Sequence, residues 1–225
     1  MFDFIIANHV LEHIPNLIAF FLDIAEVLKP NGKICLAIPD KRFCFDRFRN
    51  QTSFAECYEV YRKKQAYSPI RILDYSINYS LNDPVYFWHN QHKFDMLISP
   101  NEELFNTAID KYERAIKFEA INYPVHYHVF TPESFLILLY NMTSFFLCPF
   151  IIKEFYYTRM DSQEFCCVLE LDKNLLQDKQ RVLVEKNNIV KLLNKNYDSL
   201  IYCVSKIILR KLLFIPLIVY RILRK

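Results

Sequence analysis

The sequence predicts an α/β domain with parallel strands, closed by an antiparallel hairpin and followed by a helical tail. Three observations carry this. An apolar strand pattern over Phe2–Asn8, a helical pattern and a second apolar run at Ile34–Ile38 follow one another within 40 residues, which is a βαβ crossover. Two further strand patterns, Phe150–Thr158 and Glu164–Leu171, flank Arg159–Gln163, a spacing that suits a hairpin. Finally, the 225 residues contain one glycine, Gly32. A glycine-rich turn that lets backbone approach a bound phosphate cannot be built from it.

The elements can be justified in order. Phe2–Asn8 is a short apolar run, expected to be a strand buried on both faces. Pro15-Asn16 opens a helix over 17–28, whose apolar residues Leu17, Phe20, Phe21, Ile24, Val27 and Leu28 recur at helical spacing. Lys29-Pro30-Asn31-Gly32 stops it, with glycine expected at the turn. Ile34–Ile38 is the next strand, ended by Pro39-Asp40. Residues 41–125 are polar and aromatic, with helical stretches near Phe54–Lys64 and Asn101–Phe118 and an irregular segment over Asn82–His92. An insertion of this size after a sheet strand is expected to form a cap over a substrate site. Thr131-Pro132-Glu133 caps a helix from Ser134 to about Met142. The hairpin closes the body near Asp172, so the expected division is a body over 1–172, with its cap at 41–125, and a helical, basic, amphipathic tail over 173–225.

Composition narrows the class. With 52% hydrophobic and 24% charged residues the chain can bury a sizeable core. Its seven cysteines form no Cys-x-x-Cys pair, as expected of reduced thiols in the cytoplasm. Nothing at Met1 reads as a signal peptide. The net charge of +3 is uneven: residues 191–225 carry +7 and residues 1–190 carry −4. An acidic body has no electrostatic footprint for nucleic acid, and none is expected as a partner.

Asp3 through His13 reads Asp-Phe-Ile-Ile-Ala-Asn-His-Val-Leu-Glu-His, followed by a helix and Leu28-Lys29-Pro30-Asn31-Gly32. This resembles the fourth strand, helix and Leu-Lys-Pro-Gly-Gly turn of class I S-adenosylmethionine-dependent methyltransferases. Pro39-Asp40-Lys41-Arg42-Phe43-Cys44-Phe45-Asp46-Arg47-Phe48-Arg49 and His126-Tyr127-His128-Val129-Phe130-Thr131-Pro132-Glu133-Ser134-Phe135 are similar to elements of a bacterial group often linked to surface glycan synthesis. The resemblance implies the C-terminal half of a Rossmann-like methyltransferase sheet. It implies S-adenosylmethionine as cofactor and methyl transfer to an oxygen or nitrogen of a small or glycan-linked acceptor. It also implies that the chain is N-terminally truncated, lacking the first strands and the glycine turn that hold the adenosine. The expectation is poor cofactor binding and no activity by the chain alone. The competing reading is a non-catalytic remnant, or a half-domain completed by a separately encoded N-terminal half.

Candidate site residues follow. Asn8, His9 and Val10 end the first strand, where the resemblance implies they line the methionine part of the cofactor; plain strand termination is the alternative. His13, beside Glu12, is a candidate general base, because imidazole titrates near neutral pH; the pair equally suits a helix-entry cap. Arg42, Asp46 and Arg49, if helical, share one face and form a ladder able to clamp an anionic group of the acceptor, or a self-satisfied salt bridge. His126 and His128 alternate and would face one side of an extended segment, His128 as a base and His126 as an acceptor contact. Together with His89 and His92 they raise a metal reading, but no cysteine or acid lies at zinc-like spacing, and no metal is expected.

The tail is the second signal. Its longest uncharged run, Leu212–Tyr220, is nine residues, against about 20 for a spanning helix. Lys206, Arg210, Arg221 and Arg224 fall within about 60° on a helical wheel, opposite an apolar face. That pattern suits contact with an anionic membrane at its cytoplasmic face; packing against protein is the alternative. Deleting residues 199–225 should abolish co-sedimentation with anionic liposomes, and binding that survives the deletion removes the tail from consideration.

Overall fold

A computed structural model of the protein describes residues 1–64, 68–78, 80, 84–89, 102–117 and 125–195. In chain order its elements are β1 (Phe2–Asn8), α1 (Leu17–Val27), β2 (Leu28–Pro39), α2 (Phe54–Lys63), α3 (Pro69–Asn78), α4 (Pro84–His89), α5 (Glu102–Ile116), α6 (Pro132–Ser144), β3 (Phe150–Tyr156) and β4 (Glu164–Leu171). A last helix, α7, covers 179–195. The four strands form one sheet in the order β1-β2-β4-β3. β1 and β2 are parallel, and β4 runs antiparallel to both β2 and β3. The carboxyl ends of β1 and β2 and the start of β4 therefore meet at one edge, where an open α/β sheet binds its ligands.

Asn16 caps α1 by accepting the Ala19 amide at 3.2 Å. The helix buries Leu17, Phe21 and Ile24 of the predicted stripe together with Ile18, whereas Phe20 is half-buried and Val27 is exposed. Its exit differs from the expectation. Leu28 is already extended (φ −81°, ψ 145°), and β2 begins there rather than at Ile34. The ladder then jumps from Phe2↔Leu28 to Phe4↔Lys33, so residues 29–32 form an irregular excursion within the strand. Asn31, not glycine, takes the left-handed backbone there, with φ 62°. Asparagine tolerates that region because its short side chain bonds locally. Gly32 is needed for space instead: a Cβ on it would lie 2.9 Å from the Lys29 carbonyl oxygen and 3.2 Å from that of Phe2.

The register sorts the sheet into two unlike faces. Ile34, Leu36 and Ile38 of β2 stand opposite Leu169, Cys167 and Phe165 of β4, and all six are buried. α1 and α6 cover this face, with Phe21 against Phe150 at 6.0 Å and Phe135 against Phe165 at 5.7 Å between ring centroids. On the other face Phe4 and Ile6 are 64% and 74% exposed. β1 is thus buried on one face, not two, because the helices that reach the sheet pack on the side of Ile5 and Ala7.

α6 starts as its sequence predicted, with Pro132 in the first turn and Thr131 and Ser134 forming a reciprocal capping box. The insertion after β2 also contains helices near the expected places, α2 and α5. The Asn82–His92 segment, expected to be irregular, is helical over Pro84–His89, and its other residues lie outside those described. Trp88 of α4 stacks on Phe43 at 3.8 Å and donates to the Ser162 carbonyl at 2.7 Å. This ties the insertion to the β3–β4 loop. α3, which no strong periodicity announced, packs with α5 around Ile72, Ala115, Val125 and Tyr127.

α7 packs against the body. Ile189 is buried in the main core, and Glu185 accepts the Ile152 amide of β3 at 2.9 Å. Burial pushes the Glu185 carboxyl up to about 6. Residues 173–195, placed with the tail by composition, thus continue the folded body, while 196–225 lie outside the described residues. Among those described, no helix is long and apolar enough to cross a membrane.

Gly32→Ala should cost about 1–3 kcal/mol, the range for forcing an extra methyl into a packed site, because two of its three close neighbours are backbone. Equilibrium urea denaturation would show this as a lowered midpoint with unchanged slope.

Candidate active site

The site grows from the turn after β1. Asn8 ends the strand with its side chain exposed. His9 then takes a left-handed backbone, φ 50°, while its amide still donates to the Ala37 carbonyl at 3.0 Å. This swings the chain out of the sheet into a single 3-10 turn, Leu11–His13. Val10 is half-buried and Leu11 is buried. The Glu12 carbonyl then accepts two amides, Tyr127 at 2.7 Å and His128 at 3.1 Å, which docks the segment before α6 onto the turn.

That docking brings His13 and His126 together, with rings edge to face at 4.6 Å. His13 Nδ1 donates to the Val125 carbonyl at 3.0 Å. Because a carbonyl only accepts, Nδ1 carries a proton, so in the neutral ring Nε2 is the nitrogen with the lone pair. The His13 side chain is 40% exposed. His126 is buried and bonds through Nδ1 to Asp46 Oδ2 at 2.5 Å. Asp46 also accepts Arg49 Nη1 at 2.7 Å, and Arg49 Nε reaches Asp74 at 2.9 Å. Burial alone would raise the Asp46 carboxyl, but the His126 hydrogen bond and the Arg49 charge hold it below the usual carboxylate range.

Glu12 is the anomaly. Its carboxylate is 2% exposed and neither oxygen has a hydrogen-bond partner. The nearest imidazole nitrogens, His9 Nδ1 at 3.6 Å and His13 Nε2 at 4.0 Å, are beyond hydrogen-bonding range. Burial pushes this carboxyl up, opposed first by its own nearby backbone amide and then by the charges of His126, His9 and His13. His9 is turned the other way by Glu164, which meets its Nε2 at 2.7 Å. A groove lined by Tyr157, Arg159, Ser162 and Glu164 opens beside that pair.

The remaining candidates are dispersed. Arg42, Asp46 and Arg49 do not share a helical face, because Lys41–Phe43 is one 3-10 turn and a separate turn carries Asp46–Arg49. Arg42 instead forks onto the buried Asp40, with Nη2 to Oδ2 at 2.6 Å, and its side chain is 43% exposed. Arg49 is fully buried between Asp46 and Asp74, the self-satisfied form of the pair. His128 lies in the core stacked over Phe130 at 5.9 Å, with neither ring nitrogen hydrogen-bonded. Burial lowers it to about 4, so it is neutral at physiological pH and enclosed. Of the two candidate bases, only His13 presents a partly open imidazole. Sequence reasoning did not single out Asp40, Asp74 or Glu164; the fold brings Thr158 to Asp40, Arg49 to Asp74 and His9 to Glu164.

The sheet is of the open α/β class, and its polar, histidine-rich cluster lies at the carboxyl ends of the parallel strands, where sheets of that class bind ligands. The chain belongs to the methyltransferase-domain family, whose model matches residues 1–135. The family's chemistry is methyl transfer, with S-adenosylmethionine as the usual donor. Neither the curated proteins nor the solved structures contain a match to the chain.

The enclosed His128 predicts a pH dependence of stability. The unfolded chain protonates it near 6.5 and the fold only near 4, so between those values the unfolded state binds the extra proton. Stability should be complete above pH 6.5 and fall by about 3 kcal/mol as the pH drops towards 4. In His128→Leu, urea midpoints compared at pH 7 and 4.5 should lose that part of the slope.

Proposed function

We propose that the chain is the acceptor-side half of an S-adenosylmethionine-dependent methyltransferase acting on an oxygen or nitrogen of a small or glycan-linked acceptor. The observation that carries this reading is the state of His13: its Nδ1–H is fixed by the Val125 carbonyl, and its free Nε2 stands partly open at the carboxyl edge of the sheet. The family match over residues 1–135 supports it.

The residues fit one end of the cofactor. Asn8, His9 and Val10 would line its methionine part, and bound S-adenosylmethionine would supply an electrophilic methyl group. For the adenosine the chain offers no glycine turn: Gly32 lies at the opposite end of β2, packed against backbone. His13 Nε2 would take the proton of the attacking hydroxyl or amine as the bond to carbon forms. Glu12, 4.0 Å away, would stabilise the resulting imidazolium. Arg42 would meet the acceptor from the cap side, while Asp46 and Arg49 position His126. The basic tail would hold the protein against an anionic cytoplasmic membrane surface.

A second reading is favoured by the lone, packed glycine and by the open β1 face with its exposed Phe4 and Ile6. In that reading the chain is a half-domain without catalysis of its own, completed by a separately encoded half bearing the glycine turn. Equilibrium dialysis with tritiated S-adenosylmethionine tests both: binding and methyl transfer by the chain alone favour the first, and binding only beside a glycine-turn half favours the second. The chain alone should bind weakly, and co-expression with a glycine-turn half should restore binding and transfer. In the completed protein His13→Asn should lower kcat/KM by about 10²–10⁴-fold and leave cofactor affinity unchanged. Transfer indifferent to His13→Asn rejects the base assignment; a completed protein that never binds the cofactor rejects methyl transfer.

A further inference from the structure

We propose that Glu12, His13 and His126 form a binding site for one divalent transition metal ion of the zinc class. This inference does not rest on methyl transfer. Each residue offers one ligand atom, and the three atoms lie within 4.8 Å of one another. Two imidazoles and a carboxylate are a recurrent three-ligand set for zinc and its neighbours, leaving a further position open. Magnesium, which prefers oxygen ligands and retained water, suits two imidazoles poorly.

Two independent features point to a cation rather than to three residues that happen to be close. The first is the orientation of the histidines. His13 is held at Nδ1 by the Val125 carbonyl and His126 at Nδ1 by Asp46. In His13 this leaves Nε2 towards Glu12, 4.0 Å from its carboxylate, and in His126 it leaves Nε2 as the nitrogen available to a metal. Metal-binding histidines are secured in this way, by a carbonyl or a carboxylate on the second nitrogen. The second is Glu12. A carboxylate 2% exposed and without one hydrogen bond is costly to bury, and a bound cation would satisfy both oxygens at once.

The spacing is that of an open hand. Ligands held at about 2.0–2.1 Å around a tetrahedral ion lie about 3.4 Å apart, so the three side chains must close by about 1 Å on binding. His13, partly exposed, and the unpartnered Glu12 have the freedom to move. Asp46, locked between His126 and Arg49, keeps His126 as the fixed point. His9, held at Nε2 by Glu164, stands with Nδ1 3.6 Å from Glu12 and forms the rim. Metal and proton compete for His13 Nε2, so the ion and a free His13 base exclude each other.

The test uses the full chain, stripped with chelator and kept reduced. Titration with Co²⁺ should give visible d–d bands saturating at one ion per chain, without the near-ultraviolet charge-transfer band that a cysteine ligand would add. Zn²⁺ should displace the Co²⁺ and raise the melting temperature. Glu12→Gln and His13→Asn should each weaken binding at least tenfold, and Asp46→Asn by about 10–100-fold as a positioning residue. His89→Asn, outside the cluster, should bind as the parent does. His13→Asn is the decisive variant, because a half-exposed side chain can be replaced without unfolding the chain, which circular dichroism verifies. No stoichiometric binding by the folded parent, or equal binding by folded His13→Asn, overturns the proposal and leaves the cluster an internal ionic group.

Discussion

The site depends on one carbonyl. Glu12 O receives the amides of both Tyr127 and His128, joining a turn that leaves β1 to a segment more than a hundred residues later. The same segment continues as a strap: Val129 exchanges hydrogen bonds with Thr52, and Phe130 bridges Asp40 and accepts the Lys41 amide at 2.8 Å. It therefore crosses the carboxyl ends of β1 and β2 and then enters α6 through the Thr131 cap. Every side chain of the cluster is placed by this crossing. Without it, His126 and Val125 have no reason to stand beside His13.

Charge inside the protein follows the same line. Asp40, Asp46 and Arg49 are all buried, yet each has specific partners: Arg42 and Thr158 for Asp40, His126 and Arg49 for Asp46, two carboxylates for Arg49. Such groups are tolerable in a low-dielectric interior only when paired and hydrogen-bonded. The pairing also fixes geometry, since a fork such as Arg42 on Asp40 allows little rotation. Among the described residues, Glu12 and His128 are buried at this edge without a hydrogen-bond partner for their side chains. They meet the problem differently. His128 sheds its proton and becomes part of an aromatic stack, whereas Glu12 remains surrounded by imidazoles that can carry charge.

Local signals in the sequence were reliable where the physics is local. Most of the α1 stripe, the Thr131-Pro132 start of α6 and the β3–β4 hairpin depend on residues a few positions apart, and they are found. The limits of β2 were misjudged, because Lys29-Pro30-Asn31-Gly32 carries every mark of a helix stop and the ladder resumes around it regardless. α3 escaped notice because its partner surface, α5, lies far along the chain. The ladder imagined for Arg42, Asp46 and Arg49 assumed a helix, but Asp40 captures Arg42 at the end of β2 and redirects it. Glu12-His13 was visible as a pair, and His126 was visible only beside His128. That they share one space is a property of the strap, which no spacing rule contains.

The left-handed turns have a further consequence. Among the described residues His9, Asn31, Lys64, Phe146 and Asp161 adopt positive φ, and none is glycine. Topology dictates where such corners fall; composition decides who must occupy them. With one glycine in the chain, these corners fall to other residues: Asn31 and Asp161 are suited to the shape, whereas His9, Lys64 and Phe146 adopt it against a steric cost of order 1–2 kcal/mol each. His9 shows where that matters most: the same strained corner that turns the chain out of the sheet carries an imidazole at the rim of the cluster, a side chain that glycine could not have provided.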